Sequence, residues 1–154
     1  MSFVPLLKQA LKANPYYCTE QLVSKGFPYL LFGENNNSEI QRVTNIIQSR
    51  QKSDGEIQLY PGNHTTRHFI SLYALHFLQE ARMRGFVVSE NVLKKIGNYI
   101  KQEFNNISKL REKAYALYLL TRMEVVTTPY LKKVDAEVAV LVKKFTDDQI
   151  PMGG

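Results

Sequence analysis

The chain has 154 residues, of which 44% are hydrophobic and 22% are charged. This length and composition are ordinary for a folded domain with its own core. No apolar run approaches the roughly 20 residues of a membrane-spanning helix, so direct membrane insertion is not expected. The N-terminal residues contain no basic segment followed by an apolar one, and no signal peptide is predicted.

The net charge of +6 comes from 20 basic and 14 acidic residues. The basic residues are dispersed along the chain, whereas a nucleic-acid-binding surface usually concentrates them on one element. We therefore expect no nucleic-acid partner. We predict that the basic side chains, Arg42 and Arg50 among them, lie on solvated helix faces.

Taken in chain order, the predicted elements are helices. Their ranges are 4–12, 19–32, 39–51, 67–84, 90–104, 110–123 and 131–145. Residues 56–60 alternate in polarity and could be extended, but the segment is too short to found a sheet. No strand and helix alternation is visible, so the predicted fold class is all-α.

Local signals set the helix ends. Proline disfavours helix in the residue before it, so Pro15 ends the first helix. The second is predicted to be interrupted or bent near Gly26 and Pro28. Ser38 and Ser89 are suited to cap the third and fifth helices. Residue 85 is a glycine suited to the position that follows the fourth helix.

An internal repeat relates the fourth and sixth predicted helices. Residues 73–78 read Tyr-Ala-Leu-His-Phe-Leu, and residues 115–120 read Tyr-Ala-Leu-Tyr-Leu-Leu. The spacing suits a two-helix hairpin, which is the unit of helical solenoids and toroids.

The single cysteine, Cys18, precedes Gln21 by three positions at the predicted start of the second helix. Residues three apart on a helix share a face, with Cβ atoms about 5–6 Å apart. The sulfur could therefore reach the Gln21 amide carbonyl and, with loss of ammonia, form an internal thioester. Two alternatives stay open, an inert buried thiol and a turnover nucleophile with a histidine base, for which no local signature exists.

Four segments carry a family resemblance. Residues 14–22 read Asn-Pro-Tyr-Tyr-Cys-Thr-Glu-Gln-Leu, residues 51–55 Gln-Lys-Ser-Asp-Gly and residues 60–62 Tyr-Pro-Gly, and residues 71–85 begin Ser-Leu-Tyr-Ala-Leu-His-Phe-Leu-Gln-Glu-Ala. In this order and spacing they resemble the thioester domain of the bacterial alpha-2-macroglobulin family. Its typical patterns are Pro-Tyr-Gly-Cys-x-Glu-Gln, Gln-x-x-Asp-Gly, Trp-Pro-Gly and Thr-Ala-Tyr-Ala-Leu-x-Phe-Leu-x-Glu-Ala. Tyr17 stands where the family usually has glycine, and Tyr60 replaces the tryptophan.

The resemblance implies an α/α toroid of helical hairpins. Residues 1–154 would form a single thioester-domain fragment, the N-terminal half of such a domain and therefore an incomplete toroid. A half-toroid would leave apolar stripes without partners, on residues 117–120 and on the last helix. From this we predict self-association as a two-fold homodimer.

The resemblance also implies a function. Such proteins trap proteases: cleavage of the trap exposes the thioester, which acylates the attacker. The chain would then be part of a single-use endopeptidase inhibitor rather than an enzyme. Its partners would be proteases, and its place the periplasm or cell envelope, as part of an exported parent that serves bacterial defence. The alternative is a helical protein-binding scaffold in which Cys18 is inert.

The predicted site residues are Cys18 and Gln21, which would form the thioester. Tyr16 and Tyr17 are candidates to shield it from water, and Phe27 and Tyr29 could join them, although ordinary core positions are the simpler interpretation. No catalytic residue, cofactor or metal site is predicted. Complement-type relatives use a histidine roughly a hundred residues after the cysteine, a region that contains none here, which favours direct attack by amines.

Overall fold

The computed structural model describes residues 12–33 and 35–123, and the regular elements within these ranges are helical. They are α1 (Thr19–Phe32), α2 (Asn37–Ser49), α3 (His68–Met83), α4 (Glu90–Glu103) and α5 (Leu110–Arg122), with a 3-10 turn at Phe104–Asn106. The predicted all-α class is confirmed. The predicted helix at 131–145, and all but the last residue of the one at 4–12, lie outside the described residues.

Helix α1 has the predicted bounds, but the predicted interruption is wrong. The helix runs through Gly26 and Pro28 to Phe32 without a break. A proline inside a helix costs about 3 kcal/mol or more. The buried face of α1 opposes that cost, since Leu22 and Val23 are almost completely enclosed.

Helix α2 begins earlier than predicted, and Ser38 does not cap it. Its N-cap residue is Asn36, because Asn35 adopts a left-handed conformation with φ of 59° and turns the chain four residues before the predicted start. The helix also ends before Gln51, which instead pairs with Ile57 in an isolated antiparallel bridge. Of residues 56–60, whose alternating polarity indicated an extended segment, only Ile57 takes part in a β-bridge.

Two other predicted helix ends are confirmed. Gly85 follows α3 with φ of 90°, and its N–H bonds to the Arg82 carbonyl while the N–H of Phe86 bonds to that of Ala81. This is the Schellman arrangement, which favours glycine. The hydroxyl of Ser89 accepts a hydrogen bond from the Val92 N–H at the start of α4.

The chain divides into two compact units, Met1–Gln102 and Glu103–Gly154. In the first unit, α1, α2 and α3 pack on one another. Gly26 allows the close approach of α1 and α3, because a Cβ placed there would lie 2.9 Å from Cε2 of Phe77. This packing fixes the first turn of α1 and the end of α2, where the candidate site lies.

The second unit contributes α5 to the described residues. The prediction that the 117–120 stripe lacks partners is wrong, because Leu117, Leu119 and Leu120 are buried and only Tyr118 is exposed. The other predicted stripe lies outside the described ranges. The homodimer, the toroid and the single-fragment assignment stay predictions.

Among the helices in the described ranges, none has both the length and the apolar character needed to cross a membrane.

Candidate functional site: the Cys18–Gln21 pair

A tight turn leads the chain into α1. The N–H of Tyr17 donates to the Asn14 carbonyl at 3.0 Å, and the N–H of Tyr16 donates to the Asn14 side-chain oxygen at 2.9 Å. This is the local bonding by which asparagine favours turns. Tyr17 does not have a positive φ. The glycine that the family usually carries at this position is therefore not required by the backbone conformation seen here.

Cys18 is the N-cap residue of α1, and two reciprocal hydrogen bonds join it to Gln21. The Cys18 N–H donates to Gln21 Oε1 at 3.0 Å, and the Gln21 N–H donates to Cys18 Sγ at 3.4 Å. This is a capping box in which a thiol replaces the usual hydroxyl. The structure thus brings the two predicted residues together within the first turn of one helix.

The two tyrosines before Cys18 have different environments. Tyr16 is 88% exposed. Tyr17 is half-buried, and the Lys25 ammonium lies 5.3 Å from its ring centroid. Cys18 itself is half-buried and the Gln21 residue is exposed. Shielding of the pair by these two tyrosines stays a prediction.

The other two aromatic candidates for a cover pack toward the core, Tyr29 buried and Phe27 half-buried. Phe27 packs edge-on against Phe77 with ring centroids 5.3 Å apart. Tyr29 is buried. Ordinary core packing, the simpler interpretation from the sequence, accounts for both.

Thr19 ties the start of α1 to a loop distant in sequence. Its N–H donates to the Leu59 carbonyl at 2.8 Å, and its hydroxyl donates to the carbonyl of Gln58. Thr19 is almost completely buried. The backbone directly after Cys18 is therefore held by residues 58–59.

Arg50 is the site residue that the sequence analysis missed. It was predicted on a solvated face, but it is only 2% exposed. Nη2 donates to the Pro15 carbonyl at 2.8 Å, and Nη1 donates to Thr19 Oγ1 and the Leu59 carbonyl, each at 3.2 Å. The prediction failed because Arg50 directly follows α2, where the chain turns inward. In the sequence, only its position directly before the Gln-x-x-Asp-Gly segment could have indicated that Arg50 belongs to the site.

The electrostatics of Arg50 reflect this enclosure. Burial lowers the pKa of Arg50, because a charged guanidinium loses hydration. The negative charge that Cys18 or Tyr60 carries when it is ionised acts in the opposite direction and raises the pKa of Arg50.

The Gln-x-x-Asp-Gly segment forms the turn that returns the chain to the site. The Gly55 N–H donates to the Lys52 carbonyl at 3.0 Å, and the Glu56 N–H donates to Asp54 Oδ1 at 3.0 Å. The Gln51 side chain donates to the Gly55 carbonyl at 3.2 Å. After this turn, the Gln58 N–H donates to the Arg50 carbonyl at 3.1 Å, so both ends of the turn lie beside the site.

The Tyr-Pro-Gly segment forms a second turn. The Asn63 N–H donates to the Tyr60 carbonyl at 3.0 Å, and Gly62 has φ of 78°. A positive φ after proline is typical of a type II turn. The segments at 14–22, 51–55 and 60–62, separate in sequence, are therefore connected around Arg50 and Thr19.

The three histidines lie at different positions in the described fold. His64 is exposed in a loop, His68 is the first residue of α3, and His76 lies 3.9 Å from Glu80 and against the Phe27 ring. In the part of the chain that the structure describes, no group of three histidine, cysteine or acidic residues is placed to hold a metal ion.

Comparison with known proteins finds bacterial proteins named alpha-2-macroglobulin. An alpha-2-macroglobulin of Rickettsia conorii is 30% identical over 152 residues, which cover 87% of this chain and 8% of that protein. The similarities support an alpha-2-macroglobulin-family protein. A homolog from Yersinia pestis is 29% identical over 150 residues, 88% of this chain and 8% of its own length. An alpha-2-macroglobulin of Pasteurella multocida is 24% identical over 155 residues, which cover 79% of this chain and 8% of that protein.

The chain therefore spans about 8% of the length of these curated relatives. No protein-family model and no solved structure matches it.

Proposed function

We propose that the chain is part of an alpha-2-macroglobulin-type protease trap in which Cys18 and Gln21 form an internal thioester. The observation that carries the proposal is the reciprocal hydrogen bonding of these two residues across the first turn of α1. The similarity to proteins named alpha-2-macroglobulin over most of the chain gives independent support.

The local geometry suits formation of the bond. The sulfur of Cys18 attacks Cδ of Gln21, the C–N bond breaks, and ammonia leaves with the thiol proton. The Cys18 N–H already donates to Oε1, the oxygen on which negative charge develops during attack. A donor aimed at that oxygen stabilises the tetrahedral intermediate. The Gln21 N–H donates to the sulfur and favours negative charge there.

The same groups serve the acylation step. An amine attacks Cδ of the thioester, the C–S bond breaks, and an amide joins Gln21 to the attacker while Cys18 becomes a thiol again. The oxyanion of this second intermediate lies at Oε1, where the Cys18 N–H again donates. A lysine of a protease is the proposed amine, because the sequence has no histidine roughly a hundred residues after Cys18, where complement-type relatives carry one.

The remaining features of the proposal follow from its family. The parent acts once on each protease, as an endopeptidase inhibitor and not as a turnover enzyme. It works in the periplasm or cell envelope, where it defends the bacterium. The described helices would form part of the N-terminal half of an α/α toroid that presents the thioester.

Intact mass spectrometry of freshly prepared native protein tests the thioester. We expect the wild-type chain to be lighter by one ammonia and to lack a reactive thiol. Methylamine should add to Gln21 and release the Cys18 thiol, and Cys18→Ala should abolish both changes. A free thiol at Cys18 with an unmodified Gln21 in fresh native protein would contradict the proposal.

A second candidate function is a helical protein-binding scaffold with an inert Cys18. One observation favours it: the capping box satisfies the first-turn N–H groups with an ordinary thiol, so the pair has a structural role without covalent chemistry. Under this alternative, the native protein keeps its full mass and methylamine leaves it unchanged.

A further inference from the structure

We propose that Arg50 is a positioning residue for the Cys18–Gln21 pair, which clamps the backbone on both sides of Cys18 and holds a positive charge near its sulfur. The inference rests on the proposed function and deepens it. Arg50 would fix the reacting geometry, and its charge would stabilise the thiolate that leaves when the thioester is opened.

The clamp is formed by hydrogen bonds across the turn. Nη2 holds the carbonyl of Pro15, three positions before Cys18, and Nη1 holds the hydroxyl of Thr19, directly after it. Nη1 also holds the Leu59 carbonyl, which accepts from the Thr19 N–H as well. One guanidinium therefore joins both flanks of Cys18 to the 58–59 loop. A lysine cannot reproduce this fork of donors.

The charge of Arg50 is not neutralised by these contacts. Its bonded acceptors in the described residues are two carbonyls and a hydroxyl, all neutral. Nε is buried and has no hydrogen-bond partner among the described residues. Burial of a guanidinium without a carboxylate is costly. The guanidinium binds Pro15 and Thr19, which lie on either side of Cys18 in the chain, and Cys18 is the nucleophile.

The chemistry uses that charge at a defined step. When an amine attacks Cδ of Gln21, the intermediate collapses by breaking the C–S bond, and the electron pair goes to the Cys18 sulfur. The proton that the amine loses passes to water or to the thiolate. A fixed positive charge nearby stabilises the departing anion without reorganisation.

The test measures alkylation of the Cys18 thiol by iodoacetamide at neutral pH, after methylamine has opened any thioester. The full chain is compared with Arg50→Met, Arg50→Lys and the exposed control Arg42→Met. We expect Arg50→Met to slow alkylation roughly tenfold, because it removes the positive charge that stabilises the attacking sulfur. Arg50→Lys should recover much of the rate, and Arg42→Met should stay close to wild type.

Circular dichroism and urea unfolding check that each variant is folded. A folded Arg50→Met with the wild-type rate would overturn the proposal. Equal slowing in Arg50→Met and Arg50→Lys would overturn the role of the charge, since a purely structural clamp depends on the fork and not on the charge.

If Arg50→Met does not fold, the wild-type chain alone still decides. A positive charge near the sulfur attracts anionic iodoacetate more than neutral iodoacetamide. We expect the alkylation rate with iodoacetate, divided by the rate with iodoacetamide, to be several-fold higher in native than in urea-unfolded protein. Arg42→Met should behave like wild type. Equal ratios would overturn the proposal. Alkylation of Cys18 does not require a thioester, so the two proposals fail separately. A wild-type chain of full mass, which has not lost ammonia, would contradict the thioester and leave the Arg50 test intact.

Discussion

The hydroxyl of Ser71 on α3 accepts a hydrogen bond from the backbone N–H of Ile57 at 3.0 Å, and both residues are fully buried. Ile57 directly precedes Gln58 and Leu59, whose carbonyls hold Thr19. The core helix α3 is thereby connected to the turn that carries Cys18. The stability of the core and the geometry of the candidate site depend on this shared loop.

We expect Ser71→Ala to lower the free energy of unfolding by about 1–3 kcal/mol, because the Ile57 N–H is left buried without its partner. Urea unfolding followed by circular dichroism measures the change. Ser49→Ala is the matched control. Its hydroxyl bonds locally to the Ile46 carbonyl in an exposed position, so its effect should stay within about 0.5 kcal/mol. Equal losses in the two variants would contradict a special role for Ser71.

Local patterns were sufficient to predict much of the fold. The i,i+3 spacing of Cys18 and Gln21 predicted that they meet at a helix start, and they do. The bounds of α1 were predicted correctly, as was the glycine that ends α3. Each of these features depends on residues close together in sequence, where helix geometry and capping chemistry determine the outcome.

The features that the sequence did not predict depend on contacts between distant residues. Arg50 resembles any surface arginine until residues 31 and 35 positions away in sequence, Thr19 and Pro15, accept its hydrogen bonds. The continuity of α1 through Pro28 likewise depends on burial against other helices. Local propensity favours a break there, and tertiary packing overrides it.

Gly55 and Gly62 form a matched pair for backbone strain. Both have positive φ, of 100° and 78°. A Cβ on Gly55 would lie 2.1 Å from the Lys95 carbonyl oxygen, whereas one on Gly62 would meet nothing within 4 Å. We expect Gly62→Ala to cost about 1–2 kcal/mol from the left-handed conformation alone. Gly55→Ala should cost roughly 1–3 kcal/mol more, from overlap with the carbonyl. Urea unfolding of both variants measures the two losses of stability. Similar losses would contradict the close approach of Gly55 to the Lys95 carbonyl.

Lys52 gives a prediction about alkaline pH. Its ammonium donates to Glu56 at 3.0 Å and lies 3.8 Å from Asp54. The hydrogen bond and charge of Glu56, followed by the charge of Asp54, raise the pKa of Lys52 above its ordinary 10.5. Because the folded-state pKa is the raised one, the stabilisation is complete below the unfolded value. It is lost as the pH rises through the folded value.

We therefore expect the stability difference between wild type and Lys52→Met to be constant from neutral pH upward and to shrink above pH 10.5, the ordinary pKa of lysine. Urea unfolding across that range measures it. Comparison with the variant cancels the titration of other groups that both proteins share. A difference that stays constant or grows through the same range would show that Lys52 gains nothing from its carboxylate partners in the folded state.

The capping and covalent roles of the Cys18–Gln21 pair can be separated by substitution. Serine is among the best N-cap residues, and loss of a cap to alanine costs about 0.5–2 kcal/mol. Cys18→Ser should therefore be more stable than Cys18→Ala by that amount in urea unfolding. Neither variant can form a thioester, so their comparison measures the cap alone. Equal stabilities would mean that the side chain at position 18 does not cap α1 in solution.

Gln21→Glu completes the separation. A glutamate at this position keeps the capping box with the Cys18 N–H. Its charge at the helix N-terminus adds about 0.3–1 kcal/mol at low ionic strength. A carboxylate has no ammonia to lose, so we expect a free Cys18 thiol, full mass and no reaction with methylamine. A stable, folded Gln21→Glu protein that still lacked its thiol would place the covalent chemistry on a residue other than Gln21. A reactive wild type beside a stable, unreactive Gln21→Glu would assign the acyl group to the Gln21 amide.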